Sequence, residues 1–255
     1  MDPGVRTPLV DFFRRGEVAR DVRLVAAQGV FAPRALDQLA LLLILKDDGD
    51  PEVARAAHAT LERLPRAALE AFLLRSDVPA GMRELFTSQG VVPQGVAPAS
   101  DEPLVQDDVA TDPNAPGASA EVVAKKLAEM SVLERMKAAM RGTREQRSAL
   151  VRDPNRLVSA SVLSSPKLMD SEIESFARMT NVSEEVLRVI GTNRQWTKSY
   201  GVVAGLVRNP KTPLAISMNL LQRVNDRDVK MLALDRNIPE PLRLAARKRA
   251  GDARG

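Results

Sequence analysis

The chain has 255 residues, of which 44% are hydrophobic, 27% are charged and only 3% are aromatic, with no cysteine and a single histidine, His58. The lack of cysteine excludes disulfide frameworks, iron–sulfur clusters and thiolate zinc sites. A serine hydrolase built on this chain would have to use His58 as its imidazole base.

Residues 1–87 are predicted to form a small helical module with 12 basic and 13 acidic residues. The run from Leu39 to Leu45 is apolar throughout, but a membrane-spanning helix needs about 20 such residues, so we expect a buried helix. The start, Met1 to Gly4, lacks the basic and apolar regions of a signal peptide, which indicates a cytoplasmic protein. Apolar periodicity predicts helices near residues 5–14, 17–29, 34–47, 51–63, 66–75 and 79–86.

Residues 88–120 are predicted to be a disordered acidic linker. They contain five acidic residues and no basic ones, together with five prolines and three glycines. Such a composition cannot bury enough apolar surface to offset the entropy of an ordered chain.

Residues 121–255 are predicted to form a basic helical module, with 25 basic and 15 acidic residues. Ser131 with Glu134, and Ser171 with Glu174, have the spacing of a capping box at a helix start. Strand signals, which are alternating aromatic and β-branched residues, are nearly missing.

A recurrence of 28 residues runs through this module. Asp153, Asn181, Asn209 and Asn237 mark it, with a small residue four positions before each and an apolar residue five positions after. The small residues are Ala149, Ala177, Gly205 and Ala233, and the apolar ones are Val158, Val186, Leu214 and Leu242. Twenty-eight residues accommodate two helices and two turns, with the Asn or Asp at a corner between helices. Each unit would bury its apolar face only by stacking on its neighbours.

The stretches Asn209 to Leu214 and Asn237 to Leu242, with Asn181 to Val186 as a degenerate copy, resemble the armadillo/HEAT-type helical repeats, and most closely the variant leucine-rich repeat. Asp50 to Leu61 is similar to the second helix of a HEAT unit. The resemblance implies an all-α, right-handed superhelix over residues 143–250, with a smaller helical module before it. The iron–sulfur cluster of the founding variant leucine-rich type does not carry over, because its cysteines are missing.

No set of residues predicts catalysis, a cofactor or a metal site. His58 is flanked by alanines on its predicted helix, which favours a structural or solvated side chain over a general base. Ser164 to Lys167 matches Ser-x-x-Lys without the companion motifs of penicillin-recognising enzymes. We therefore predict a protein that is not an enzyme and has no small-molecule substrate.

The strongest candidate for a binding surface lies between residues 186 and 225, where six residues are basic and none is acidic. The candidate surface comprises Arg188, Arg194, Lys198, Arg208, Lys211 and Arg223, extended by Arg243 and Arg247 of the last helix. Such cations could bind the phosphates of a nucleic acid, or they could form an ordinary solvated face.

Trp196, Tyr200, Val203 and Val207 would form one stripe of a single helix, so the aromatic rings could extend the core or stack on bases. Gly201 and Gly205 would either pack against another helix or let an anion approach bare backbone beside Arg194 and Lys198.

These patterns favour an interaction or scaffold protein that binds a protein or peptide through its repeat surface. The alternative is DNA or RNA binding by residues 121–255. A third possibility is that the acidic linker folds back on the basic module and masks it. No membrane association is predicted.

Overall fold

The computed structural model describes residues 4–105, 127 and 129–252. Every regular element in this part of the chain is a helix, with no strand, so the predicted all-α class is confirmed. Contacts divide the chain into two compact units, residues 1–143 with 164–166 and residues 144–163 with 167–255. The predicted limits 1–87, 88–120 and 121–255 stay a prediction.

The first unit contains seven described helices, and the first six match the predicted ones to within about three residues at each end. They are α1 (Pro8–Arg14), α2 (Arg20–Ala27), α3 (Ala35–Leu45), α4 (Pro51–Arg63), α5 (Arg66–Phe72), α6 (Ala80–Ser88) and α7 (Val132–Arg141).

Helix α3 is the centre of this unit and packs against α1, α2 and α4. From Leu39 to Leu45 every side chain is buried except that of Ile44, which is half-buried. This explains why the run is apolar on all sides and not along a single stripe. Among the described helices none is long and apolar enough to cross a membrane.

Local signals set where several helices begin. Thr7 and Asp50 precede Pro8 and Pro51, and each accepts amide hydrogen bonds from the first turn that follows. At α7 the predicted capping box is complete, because the Ser131 hydroxyl accepts the Glu134 amide and the Glu134 carboxylate accepts the Ser131 amide. Caps of this kind depend only on neighbouring residues, so they can be predicted from sequence.

Part of the predicted linker is held against the first unit. Residues 90–105, which we call the strap, form hydrogen bonds with Arg66, Arg75 and with α3 at Ala35, Leu36 and Gln38. The partners of the strap are polar groups of distant helices, which its own composition does not reveal. The disordered linker over residues 88–120 stays a prediction. Residues 106–120 lie outside the described residues.

The second unit contains eight described helices and two short 3₁₀ turns, at Val162–Ser164 and Trp196–Lys198. The helices are α8 (Arg144–Leu150), α9 (Arg156–Ser161), α10 (Asp170–Arg178), α11 (Glu184–Thr192), α12 (Tyr200–Arg208), α13 (Leu214–Leu221), α14 (Asp226–Leu232) and α15 (Glu240–Asp252).

Several helices separated by about one 28-residue step pack against each other. Helix α11 contacts both α9 and α13, helix α10 contacts α12, and helix α15 contacts α13. Helix α15 also packs against α14, its neighbour in the chain. Most of these helices have six to nine residues, so each has about two turns.

A buried ion pair joins α8 to α10. Both oxygens of Glu172 accept hydrogen bonds from Arg147, at 3.0 and 2.8 Å, and both side chains are less than 5% exposed. The Arg147 guanidinium also donates to the Lys167 carbonyl, and Glu172 accepts the Met169 amide. The pair therefore has further hydrogen-bond partners, as a charge removed from water requires.

Candidate functional site

The connection between α11 and α12 is not the continuous helix that the aromatic spacing predicted. The Asn193 side chain accepts the amides of Gln195 (2.9 Å) and Trp196 (3.3 Å), and a 3₁₀ turn follows. Ser199 then has extended backbone, with ψ at 124°, before α12 begins at Tyr200. Trp196 and Tyr200 are therefore not one turn apart on the same helix.

The two aromatic side chains differ from the two valines in burial. Val203 and Val207 are core residues, as predicted, whereas Trp196 is half-buried and Tyr200 is 41% exposed. The interpretation of Tyr200 as a core residue is therefore wrong.

Tyr200 is held by its hydroxyl group. The hydroxyl donates to the Asp228 carboxylate and accepts the Asn225 amide at 3.4 Å. Asp228 also accepts a hydrogen bond from Arg208, so one carboxylate joins both ends of α12 to α14. Partial burial of the phenol and its bond to Asp228 raise the pKa of Tyr200. The phenol is therefore a neutral hydrogen-bonding group at neutral pH and not a nucleophile.

Three of the eight predicted cations form ion pairs with acidic side chains. Arg188 pairs with Glu184 at 2.7 Å and Arg243 pairs with Glu240 at 3.8 Å, each within its own helix. The third, Arg208, pairs with Asp228. A cation that already has a carboxylate partner has less to gain from a phosphate.

Two more of the predicted cations are bound to backbone carbonyl groups. Arg223 donates to the Thr197 carbonyl and Arg247 donates to the Ala233 carbonyl, the latter at 2.9 Å. The first of these bonds brings the α13–α14 connection next to the 3₁₀ turn that contains Lys198. Arg223 and Lys198 are therefore brought to the same edge of the second unit.

The remaining three, Arg194, Lys198 and Lys211, are exposed, and none has an ion-pair partner among the described residues. Lys198 donates to the Gln195 side chain at 2.7 Å, which leaves its charge unneutralised. Arg194 and Lys198 lie in the α11–α12 connection, whereas Lys211 lies in the α12–α13 connection. Of the eight cations of the predicted surface, only these three have neither an ion-pair partner nor a backbone carbonyl partner among the described residues, and they lie in two separate connections.

The face of α12 that contains Gly201 and Gly205 is covered by α10. A Cβ atom on Gly205 would lie 3.2 Å from the Cβ of Ala177, and one on Gly201 would lie 2.3–2.5 Å from the carboxylate of Glu174. The two glycines therefore mark close helix packing, which was one of the two alternatives. The other alternative, an anion approaching this bare backbone, is wrong because a carboxylate already occupies the space.

The four corner residues all lie between helices, but their surroundings differ. Asp153, Asn181 and Asn237 each stand three residues before the next helix begins, and Asn209 stands five before it. Asn209 is 3% exposed, and its amide group donates to the carbonyls of Ala177 (3.0 Å) and Met179 (2.9 Å). Asn181 and Asn237 are exposed.

Sequence reasoning missed a set of exposed apolar side chains on the last three helices and on the connection between α14 and α15. Leu214 was predicted to face the core, yet it is 40% exposed, because α13 turns Ser217, Leu220 and Leu221 inward instead. The exposed group consists of Leu214, Met218, Met231, Leu234 and Leu244, with exposures from 37% to 78%. Leu214 and Met218 are four residues apart, so the sequence shows that they share one apolar face of α13. It does not show whether another helix covers that face.

The single histidine and the acidic side chains are the residues from which a metal site could be built. His58 is exposed on α4. Residues 4–105, 127 and 129–252 hold no group of three or more histidine or carboxylate side chains that could bind a metal ion. No protein-family model, curated protein or solved structure matches this chain.

Proposed function

We propose that the second unit is a helical-repeat interaction module, a right-handed superhelix of armadillo/HEAT type, that binds a peptide segment of a partner protein. The packing of α11 on α9 and α13, and of α10 on α12, supports stacked pairs of helices. The function involves no catalytic step, only the presentation of a rigid surface.

The observation that carries this proposal is the exposure of five large apolar side chains on α13, α14, α15 and the α14–α15 connection. Exposed large apolar side chains on helices that pack against one another favour a binding surface, and methionine adapts to irregular partners. Three exposed cations on or beside the same helices, Lys230, Arg236 and Lys248, have no ion-pair partner among the described residues. The surface therefore fits an amphipathic peptide with apolar and acidic residues.

The proposal can be tested by selecting acidic amphipathic peptides from a display library on the full chain. The dissociation constants of the selected peptides are then measured by fluorescence anisotropy. The variant Leu214→Lys/Met218→Lys should bind them at least about tenfold more weakly, since it places charges in the apolar surface. Both positions are exposed, so the lysine stems can reach solvent without unfolding the helix.

Leu74→Lys is the matched control, because Leu74 is 41% exposed and belongs to the first unit. This variant should bind every selected peptide as tightly as the wild type. Circular dichroism checks that all variants are folded. Equal affinities for the wild type and the double variant would contradict the proposal, as would a library that yields no binder tighter than about 10⁻⁴ M.

The second candidate function is nucleic-acid binding, which the exposed and unneutralised Arg194, Lys198 and Lys211 favour. Binding of a duplex or single-stranded oligonucleotide should weaken steeply between 50 and 200 mM salt, as counterion release requires. Arg194→Ala/Lys198→Ala should weaken it further, whereas Arg188→Ala should not, because Arg188 is already paired with Glu184. Affinity that is independent of salt would exclude this candidate.

A further inference from the structure

The strap, residues 90–105, is held on the first unit mainly through its backbone. The Arg66 guanidinium donates to the Gly90 carbonyl at 2.5 Å and the Arg75 guanidinium donates to the Ser100 carbonyl at 2.6 Å. Hydrogen bonds to carbonyl groups do not depend on which side chains the strap carries. The first unit thus has groups that recognise a peptide backbone.

Gln38 on α3 makes the most complete of these contacts. Its amide nitrogen donates to the Val105 carbonyl (2.9 Å), and its amide oxygen accepts the Leu104 and Val105 amides, at 2.7 and 3.3 Å. The same nitrogen donates to the Gly29 carbonyl at 2.5 Å, which fixes the orientation of the side chain. Gln38 is only 1% exposed, so it is a buried polar group aimed at the backbone of two successive residues.

Asp101 of the strap adds a side-chain acceptor to these backbone contacts. Its carbonyl accepts the Ala35 amide at 3.1 Å, and its carboxylate accepts the Leu36 amide at 3.3 Å. These amides open α3, whose own N-cap residue, Arg34, supplies no side-chain bond to them. Burial, the largest effect, raises the pKa of Asp101. The Leu36 amide and the charges of Arg75 and Arg34 oppose this effect by favouring the ionised form. The groove therefore recognises this carboxyl group as a hydrogen-bond acceptor for the first amides of α3.

Gly29 leaves space for the side chain of Val105, the last residue of the strap. It has a φ of 83°, and a Cβ atom added to it would lie 3.3 Å from the Cβ of Val105. The groove between Gly29 and the start of α3 thus accepts a peptide with an aspartate, two further residues and then two apolar residues. In the strap this pattern is Asp101-Glu-Pro-Leu-Val105.

The strap is a removable occupant of this groove. None of residues 90–105 is buried and Glu102 is exposed. Of the groups that contact the strap, Gly29, Ala35 and Gln38 are buried, whereas Leu36 is half-buried. Ordering these residues costs conformational entropy that little buried surface offsets. Exchange with another segment of the same pattern therefore leaves the helices of the unit intact.

We propose that the groove formed by Gly29, Ala35, Leu36 and Gln38 is a second peptide-binding site, which binds an acidic Asp-x-x-Leu-Val segment of a partner protein and which the strap occupies in the absence of that partner. The site lies in the first unit, so it is independent of the function proposed for the second. The strap competes at a high effective concentration because it belongs to the same chain.

The test is a titration of the full chain with a fluorescent peptide of residues 98–105, capped at both ends. The variant Asp101→Ala/Leu104→Ser weakens the strap and keeps the groove, so it should bind the peptide at least about tenfold more tightly than the wild type. Adding Gln38→Leu to that variant should abolish binding. Equal affinity of the wild type and the strap variant would overturn the proposal.

Peptide variants supply the matched controls. A peptide that is N-methylated at Leu104, or that contains Asp101→Ala, should lose at least about tenfold in affinity, because each loses a contact with α3. A Glu102→Ala peptide should bind like the parent, because Glu102 is exposed. Equal binding of all these peptides would overturn the proposal.

Two further outcomes of the experiment are a strap variant that does not fold and a wild type that forms dimers. If the strap variant does not fold, the same peptides are titrated against the wild type at higher concentration, because the ratio of their affinities does not depend on the internal competitor. If the wild type forms dimers that the Asp101→Ala/Leu104→Ser change dissociates, the groove binds the strap of a second copy, and the proposal of a partner protein is wrong.

Discussion

Asp37→Asn is predicted to stabilise the first unit at pH 7. Asp37 is 1% exposed in the first turn of α3, where its Oδ1 accepts the Thr7 hydroxyl at 2.8 Å and its Oδ2 has no hydrogen-bond partner. Burial raises the pKa of Asp37 from 3.8 to about 6, against the opposing effects of the Thr7 hydrogen bond and the Arg34 charge. The neighbouring Asp101 raises it further.

The raised pKa of Asp37 determines how the free energy of unfolding changes with pH. Above about pH 6 the carboxylate is ionised in both states, and the folded state bears the cost of a buried charge. A shift of about two pH units corresponds to about 3 kcal/mol, which disappears as the pH falls from above 6 to below 4. Asp37 alone should therefore make the protein more stable at pH 4 than at pH 7.

Asparagine keeps the acceptor for Thr7 and removes the charge. An amide nitrogen then takes the place of Oδ2, which already lacks a partner, and leaving it unpaired costs about 1 kcal/mol. The expected net gain at pH 7 is about 2 kcal/mol in the free energy of unfolding. Asp37→Asn should also remove the part of the pH dependence between 4 and 6 that the raised pKa of Asp37 contributes.

The measurement is urea unfolding followed by circular dichroism at pH 7 and pH 4.5. Hydrogen exchange of the peptide that covers Ala35–Leu45 assigns the change to α3. Asp21→Asn removes an exposed carboxylate from the first turn of α2, and it should lower stability at pH 7 by less than about 0.5 kcal/mol. A loss of more than about 1 kcal/mol in Asp37→Asn at pH 7 would refute the reasoning, because the charge would then be stabilising.

Three further predictions concern the second unit. Replacing Arg147 by Met or Glu172 by Leu should each cost about 3–5 kcal/mol in urea unfolding, whereas the double variant should be close to the wild type, because only the single changes leave a buried charge unpaired. Asn209→Ala should cost about 3 kcal/mol, because one buried and one partly buried carbonyl lose their donor. Asn237→Ala, at an exposed corner, should change stability by less than about 0.5 kcal/mol, and equal losses would contradict this. Gly205→Ala should lower the melting temperature. Overpacking against α10 costs about 1–3 kcal/mol, whereas the higher helix propensity of alanine contributes only about 1 kcal/mol. A raised melting temperature would show that the two helices can move apart.

The positions of the helices were largely predictable because helix ends depend on local groups. The Ser131–Glu134 box, the Asp50–Pro51 start and the apolar run at Leu39–Leu45 each use residues within one or two turns. At α10 the same rule was wrong. Ser171 and Glu174 had the spacing of a capping box, but the helix begins at Asp170, and it is Glu172 that accepts the Met169 amide.

The candidate sites were less predictable because each depends on contacts between distant residues. The partner of Arg208 is Asp228, and the strap residue Asp101 contacts α3 from 65 residues away. Leu214 and Met218 formed an apolar stripe in the sequence, but whether such a stripe is buried depends on which neighbouring helix covers it. The charge count of residues 186–225 likewise gave no indication of which cations are already paired.

By itself the sequence determined an all-helical chain and the approximate helix boundaries, because backbone hydrogen bonds, caps and proline act between residues close in the chain. It also placed a corner between helices at each of four asparagine or aspartate residues, 28 residues apart. Only the tertiary structure decided that Asn209 is buried, that Glu172 pairs with Arg147 and that the strap is bound to α3. Those outcomes depend on which surfaces meet in three dimensions, and burial then decides whether a polar group needs a partner.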